Sequence, residues 1–268
     1  MSQFKFDVLG VDLLYNDWMD RYYLSAIVSV YRHGEKNEQG ELTENGFRQA
    51  IERGLQLKHL QGQIHVAHSG VDRVKKTALG ITRYIDKQFH EFTNQEPTLE
   101  DTSLDPETTQ IDELHYMVDK TKYSAYFTKW NKTLPPEKAS QRVQKYLEYK
   151  TKSPEPETTA PPYILAQRLS RVLISQLEQS IATSYDVREN FVNTTHEPVI
   201  MSFLYYALNN FKAGGKSFVK EIGGSVNFAE GFDIFVYQSK SNKTLIQLIF
   251  RDILVQISPV DLKNFVKN

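Results

Sequence analysis

The chain has 268 residues, 40% hydrophobic and 24% charged, with a formal net charge of -1; this suits one folded domain with room for an insertion and supplies no basic surplus to recruit nucleic acid or an anionic membrane. It has no cysteine, which excludes disulfides, thiolate metal sites and a cysteine nucleophile without fixing a compartment. The opening MSQFKFDVLGVDLLYNDWMDRYY lacks a basic stretch followed by an apolar one, and no window of bilayer-spanning length is free of charge, so a mature cytoplasmic protein is expected.

In chain order, residues 23–31 form an apolar run that reads as a buried strand and discharges directly into Arg32-His33-Gly34. Leu42-Thr43 then opens a helical pattern with Phe47, Ala50, Ile51, Gly54 and Leu55 on one face and Thr43 as N-cap. A second strand, residues 63–67, ends in His68-Ser69, and Ser69 with Asp72 has the spacing of a capping box ahead of a helix through Val74, Ala78, Ile81 and Ile85. The order so far is β-α-β-α. Residues 93–162 are bordered by proline-dotted polar stretches and predict a helical, cap-like insertion within a single domain spanning 1–268; its aromatics Tyr116, Tyr123, Tyr126, Phe127 and Trp130 read as that cap's own small core. Residues 163–181 carry the clearest helical period, through Ile164, Leu165, Leu169, Val172, Leu173, Leu177 and Ile181. A third strand, 190–195, runs into His196-Glu197-Pro198, with Pro198 suited to the first turn of the next helix. FDIFVYQ and TLIQLIFRD then read as a hairpin with an edge capable of pairing.

Three predicted strands therefore end in His33, His68-Ser69 and His196. In open α/β sheets ligands bind beyond the carboxyl ends of the strands, so parallel neighbours would bring Arg32, His33, Arg73 and His196 into one pocket beside the amino ends of two helices. Two guanidinium forks, two imidazoles and helix N-termini are suited to a phosphoryl dianion. The same permanent cations would repel a divalent metal, and no carboxylate-histidine cluster stands at ligand spacing. His68 reads as pocket wall or structure; His59, His65, His90 and His115 read as structural or surface residues.

These blocks, Arg32-His33-Gly34-Glu35, Leu42-Thr43-x-x-Gly46-x-x-Gln49-Ala50, His68-Ser69-x-x-x-Arg73-x-x-x-Thr77-Ala78 and Thr195-His196-Glu197-Pro198, resemble the histidine phosphatase superfamily, also called phosphoglycerate mutase-like, in the family's order. The resemblance implies a three-layer αβα sandwich on a mostly parallel mixed sheet. It also implies metal-independent phosphomonoester hydrolysis without a cofactor: His33 as nucleophile through a phosphohistidine, and Arg32, Arg73 and His196 binding the phosphoryl oxygens. The substrate would be a phosphorylated small molecule or a phosphoprotein, with no nucleic acid or membrane partner.

The resemblance further implies a carboxylic acid for the leaving group. The mutase-like branch places it after the Ser-x-x-x-Arg helix, where Glu100, Asp105 and Glu107 stand and Asp105 is preferred; the acid-phosphatase-like branch places it directly after the second histidine, at Glu197. Lys36 and Gln39 stand where mutase-like members carry Thr and Asn, which argues against a bisphosphoglycerate-dependent mutase. The alternatives are a phosphomutase, a phosphohistidine-protein phosphatase, or a catalytically silent relative that binds a phosphorylated ligand. His33-Gly34 itself predicts a rigid mount in which Gly34 lets the chain turn away without crowding the phosphate.

Overall fold

A computed structural model describes residues 22–57, 62–83, 108–116, 136–148, 160–182, 188–239, 241 and 243–267. The elements are β1 (Tyr22–Arg32), α1 (Glu44–Gln56), β2 (Gln63–His68), α2 (Asp72–Thr82), β3 (Thr108–Gln110), a 3-10 turn (Asp112–Leu114), α3 (Pro136–Leu147), α4 (Pro162–Ala182), β4 (Glu189–Thr195), α5 (Glu197–Ala207), the short α6 (Phe218–Glu221), β5 (Gly231–Ser239), β6 (Thr244–Phe250), β7 (Ile253–Ile257) and α7 (Pro259–Lys267). The strands form one sheet in the order β3-β2-β4-β1-β5-β6-β7. β1 to β4 run parallel, and β5, β6 and β7 continue the sheet antiparallel from β1.

β1 is central and covered on both faces, which is why its apolar run is continuous rather than alternating. Val28 and Val30 join Leu169 and Leu173 of α4 and Ile200 and Phe203 of α5 in the larger core. Tyr31, on the other face, packs with Ala50 of α1, Ile81 of α2 and Val192. Helices thus cover both faces, giving the expected three-layer α/β sandwich; each fully buried Leu or Phe contributes roughly 1.5–3 kcal/mol. Tyr31 Oη and Ser29 Oγ both donate to Asp233 Oδ1, at 2.5 and 2.6 Å, which satisfies the polar atoms of the smaller core.

Several expectations change. Thr43 does cap α1, its Oγ1 accepting from Gly46 N at 3.0 Å, but Leu55 of the predicted apolar face is exposed. α2 begins after Val71 with no side-chain cap, so Ser69 and Asp72 form no capping box; Ser69 is turned into the site instead. Ile164 and Ile181 lie at the margins of the α4 stripe and are exposed, while Leu165, Leu169, Val172, Leu173 and Leu177 are buried. The hairpin is a three-stranded meander in which β6 is paired on both sides, so the edge falls on β7; the connecting Arg251-Asp252 carries no Gly or Asn signal, although Arg251 adopts φ 55°. Within 93–162, Thr108–Gln110 belongs to the sheet, and Val143, Tyr146 and Leu147 of α3 join the larger core. Tyr123, Tyr126, Phe127 and Trp130 lie outside the described residues. No described helix is long and apolar enough to cross a membrane.

Candidate active site

The register brings three neighbouring strand ends to one level: Arg32 lies opposite Thr195 in the β1/β4 pair, and His68 opposite Thr194 in the β2/β4 pair. His33 follows β1 directly, held by its N–H to Thr195 O at 3.1 Å and by its carbonyl, which accepts from Ala229 N at 3.3 Å. Its Nδ1 stands 2.8 Å from Gly34 O. A carbonyl can only accept, so Nδ1 carries the proton and the Nε2 lone pair is left for another partner. Gly34 makes a close approach: a Cβ there would stand 2.2 Å from Gly46 O. Gly34 is thus required by its close packing against the start of α1. Its N–H donates to Thr77 Oγ1 at 3.0 Å, tying the strand end to α2 as well.

Arg32 ends β1 with both terminal nitrogens of its guanidinium engaged. Nη1 donates to Val226 O at 2.6 Å, Nη2 pairs with Glu197 at 3.3 Å, and Cζ sits 4.3 Å over the Phe228 ring. Its Nε is buried and has no hydrogen-bond partner. Glu197 is held in turn by the Ser225 hydroxyl. Arg73 is buried, and its Nη1 reaches across to Gly40 O at 3.1 Å, in the loop that follows His33. That loop is closed by an antiparallel bridge between Lys36 and Leu42 and by Asn37 N to Glu41 O at 2.9 Å.

His196 precedes α5 and is 2% exposed. Its Nε2 is 3.0 Å from Ser69 Oγ, and its ring meets three others edge-on: His33 at 5.4 Å, His115 at 5.4 Å and Tyr116 at 4.7 Å between centroids. Residues 111–116 are pinned there by Ile111 N to His68 O at 2.9 Å, by the Thr195 hydroxyl on Leu114 O and by Arg168 Nη1 to His115 O at 3.3 Å.

The electrostatics follow from this crowding of cations. Burial, then Arg73 and Arg32, push the His33 imidazole well below its usual range. Burial, Arg73 and His33 do the same to His196. Both rings are therefore neutral at pH 7. Lys36, half-buried, is pushed down to about 8 by burial and then by the charges of Arg73 and Arg32. Among the described residues, Arg32, Arg73 and Lys36 bring positive charge to the strand ends, with Glu197 paired to Arg32.

No protein-family model and no curated protein matches the chain. Solved structures do. A protein described as mycobacterial hydrolase 2 superposes with a TM-score of 0.54 at 13% identity over 92% of this chain and 97% of its own. A mycobacterial glucosyl-3-phosphoglycerate phosphatase, solved with VO3, superposes at 0.52 and 12% identity over 85% of this chain and 99% of its own. The chain shares the α/β fold of these two proteins.

Within that fold, Arg32, His33, Arg73 and His196 come together as expected from the sequence. Glu197 is also present, but paired with Arg32. Asp105, Glu100 and Glu107 lie outside the described residues. The His68 ring is tied to its neighbours: its Nδ1 accepts from Gly70 N at 3.0 Å and its Nε2 faces Thr108 Oγ1 at 3.3 Å. His65 stacks on Phe191 at 4.9 Å and pairs with Glu189 at 2.6 Å, away from the strand ends.

Sequence reasoning missed His115 and Tyr116, which stand at the second histidine rather than on the surface or in a separate cap, and it missed Ser225, Val226 and Phe228, which back Arg32. The one available signal for His115 was its position a few residues beyond Thr108-Thr109-Gln110, too short a run to be read as a strand. Among the described residues no group of three or more His, Asp or Glu is placed to hold a metal ion.

Proposed function

We propose that the protein is a metal-independent phosphomonoesterase that works through a phosphohistidine at His33. The observation that carries this reading is the His33 ring itself: Nδ1–H is committed to Gly34 O at 2.8 Å, leaving Nε2 as a neutral nucleophile, in a pocket where Arg32, Arg73 and Lys36 supply positive charge. Burial and adjacent cations, which would penalise a charged imidazole, keep this one reactive at neutral pH.

In the proposed reaction a phosphate monoester binds as a dianion, its non-bridging oxygens against Arg32, Arg73 and His196, which also stabilise the charge spread over them during transfer. Nε2 attacks phosphorus as the ester P–O bond breaks, and the departing oxygen takes a proton from a carboxylic acid. The resulting carboxylate then removes a proton from a water that attacks the phosphohistidine, releasing phosphate and restoring the neutral ring. Glu197 is bound by Arg32 and Ser225, which suits a brace for the phosphate clamp, and this leaves Asp105 as the proposed proton donor. The protein cations already supply the charge a metal would bring, so EDTA should not inhibit.

The test uses an aryl phosphate with EDTA present, and vanadate as inhibitor. His33→Ala should lose turnover; retention of full activity would sink the reading. Asp105→Asn should slow alkyl phosphates, whose leaving groups need the proton, far more than aryl ones, whereas Glu197→Gln should slow both alike. If Glu197→Gln instead shows the selective loss, the acid is Glu197.

A further inference from the structure

Among the described residues, the loop 222–230 meets the site at Arg32, His33 and Glu197. Val226 O accepts from Arg32 Nη1 at 2.6 Å, Ser225 Oγ holds Glu197, and Phe228 lies 4.3 Å under the guanidinium. Glu230 O accepts from Arg32 N at 2.8 Å, and Ala229 N donates to His33 O at 3.3 Å. Such a loop positions the clamp only if something fixes the loop. Ala229 adds a demand of its own, since it adopts φ 52°, where an L-residue is strained.

What fixes it comes from elsewhere in the chain. Arg251, in the turn joining β6 and β7, extends its guanidinium back along the loop. Nε donates to Glu230 Oε1 at 2.7 Å and Nη2 to Glu230 Oε2 at 3.0 Å, a two-pronged ion pair. Nη2 also donates to Ser225 O at 3.0 Å, and Nη1 donates to Gly224 O at 3.3 Å and to Ile222 O. The fork therefore grips the loop at its beginning, its middle and its end. Burial works to raise the Glu230 carboxyl, but its bonds to Arg251 and to Asn227 N–H outweigh this and hold it below the usual carboxylate range, so it stays ionised for the pair.

We propose that Arg251 is a positioning residue for the phosphate clamp, setting the orientation of the Arg32 guanidinium through residues 222–230 without touching substrate. The proposal rests on the phosphatase reading for its catalytic consequence, but its structural content stands apart. A planar fork is required because three backbone carbonyls and a carboxylate are read at once. A lysine keeps the charge, yet reaches one or two of these acceptors.

The test is a double-mutant cycle between Arg251 and Arg32. Arg251→Gly suits the positive φ of that position, so it removes the fork and relieves the backbone together. In the wild-type background it should weaken vanadate inhibition and lower kcat/KM for an aryl phosphate about 10-fold, as loss of a charge-assisted contact to the clamp would. In an Arg32→Ala background the same change should act less than about twofold, because the guanidinium that the loop orients is gone. Arg251→Lys should fall with Arg251→Gly. An equal loss in both backgrounds, or none in the wild type, overturns the proposal. If Arg251→Gly does not fold, Glu230→Gln removes the ion pair and takes its place in the cycle: a loss confined to the wild-type background supports the proposal, and an equal loss or none overturns it. A readout independent of turnover is the Nε–H resonance of Arg32 in nitrogen-labelled protein. It should shift or broaden in Arg251→Gly even if the wild type hydrolyses nothing, and an unchanged resonance overturns the proposal by itself.

Discussion

Replacing Gly34 by Ala tests how the nucleophile is mounted. A Cβ at this position would stand 2.2 Å from Gly46 O, 2.7 Å from Gly46 C and 2.9 Å from Gly46 Cα, all backbone atoms that no rotamer change can move aside. Ordinary contact requires separation by about 1 Å more, and both sides resist it. The end of β1 is held by His33 N to Thr195 O and Ala229 N to His33 O. The start of α1 is held by Thr43 N to Glu35 O at 3.0 Å and by Glu35 N to Gln49 Oε1 at 3.0 Å. Overpacking of this kind costs about 1–3 kcal/mol, and a shift of about 1 Å in a reacting group costs on the order of 10²-fold in rate. Urea unfolding and kcat/KM for an aryl phosphate, measured well below the midpoint of thermal unfolding, read the two effects separately. A Gly34→Ala protein with unchanged stability and activity within about twofold of wild type would refute the reasoning.

Lys36 should set an alkaline limb: with its ammonium held down to about 8, kcat/KM should fall as pH rises through that value and the third cation is lost. The guanidinium introduced by Lys36→Arg does not titrate there, so the limb should move up by more than about one pH unit; an unchanged limb would show that another group is responsible. The two buried histidines predict an acid effect on stability. Their folded values lie well below the 6.5 of a free imidazole, so the unfolded chain binds more protons as pH falls below about 6.5. Stability should be full above that pH and decline below it, by up to about 1.4 kcal/mol per pH unit for each ring. His196→Gln should flatten this slope in urea midpoints taken from pH 7 to 5, and an identical slope would contradict it.

What was legible in the sequence was local. Arg32-His33, the Arg73 helix and Thr195-His196 each sit where a strong strand signal ends, so one strand-end rule placed them together. Ser69 was read locally and misread: its spacing to Asp72 matches a cap, but the partner it finds, His196, is 127 residues away. Gly34 looked like freedom for a turn, whereas the contact that requires it is with Gly46 on another element. His115 and Arg251 were not legible because topology brings them in, one from the turn that follows a three-residue strand and the other from a turn inside the segment TLIQLIFRD that reads as one strand. The edge assigned to the hairpin moved for the same reason, since ILVQI follows a turn without a glycine and adds β7.

The most direct test of the central claim is to mix the protein with a phosphate monoester, quench within the first turnover, and locate the phosphoryl group by mass spectrometry under alkaline conditions that preserve phosphohistidine. The phosphoryl group should be on His33, at Nε2, and should be absent from His33→Ala. Turnover with no phosphorylated protein at any quench time, or a phosphoryl group on His196 instead, would contradict it.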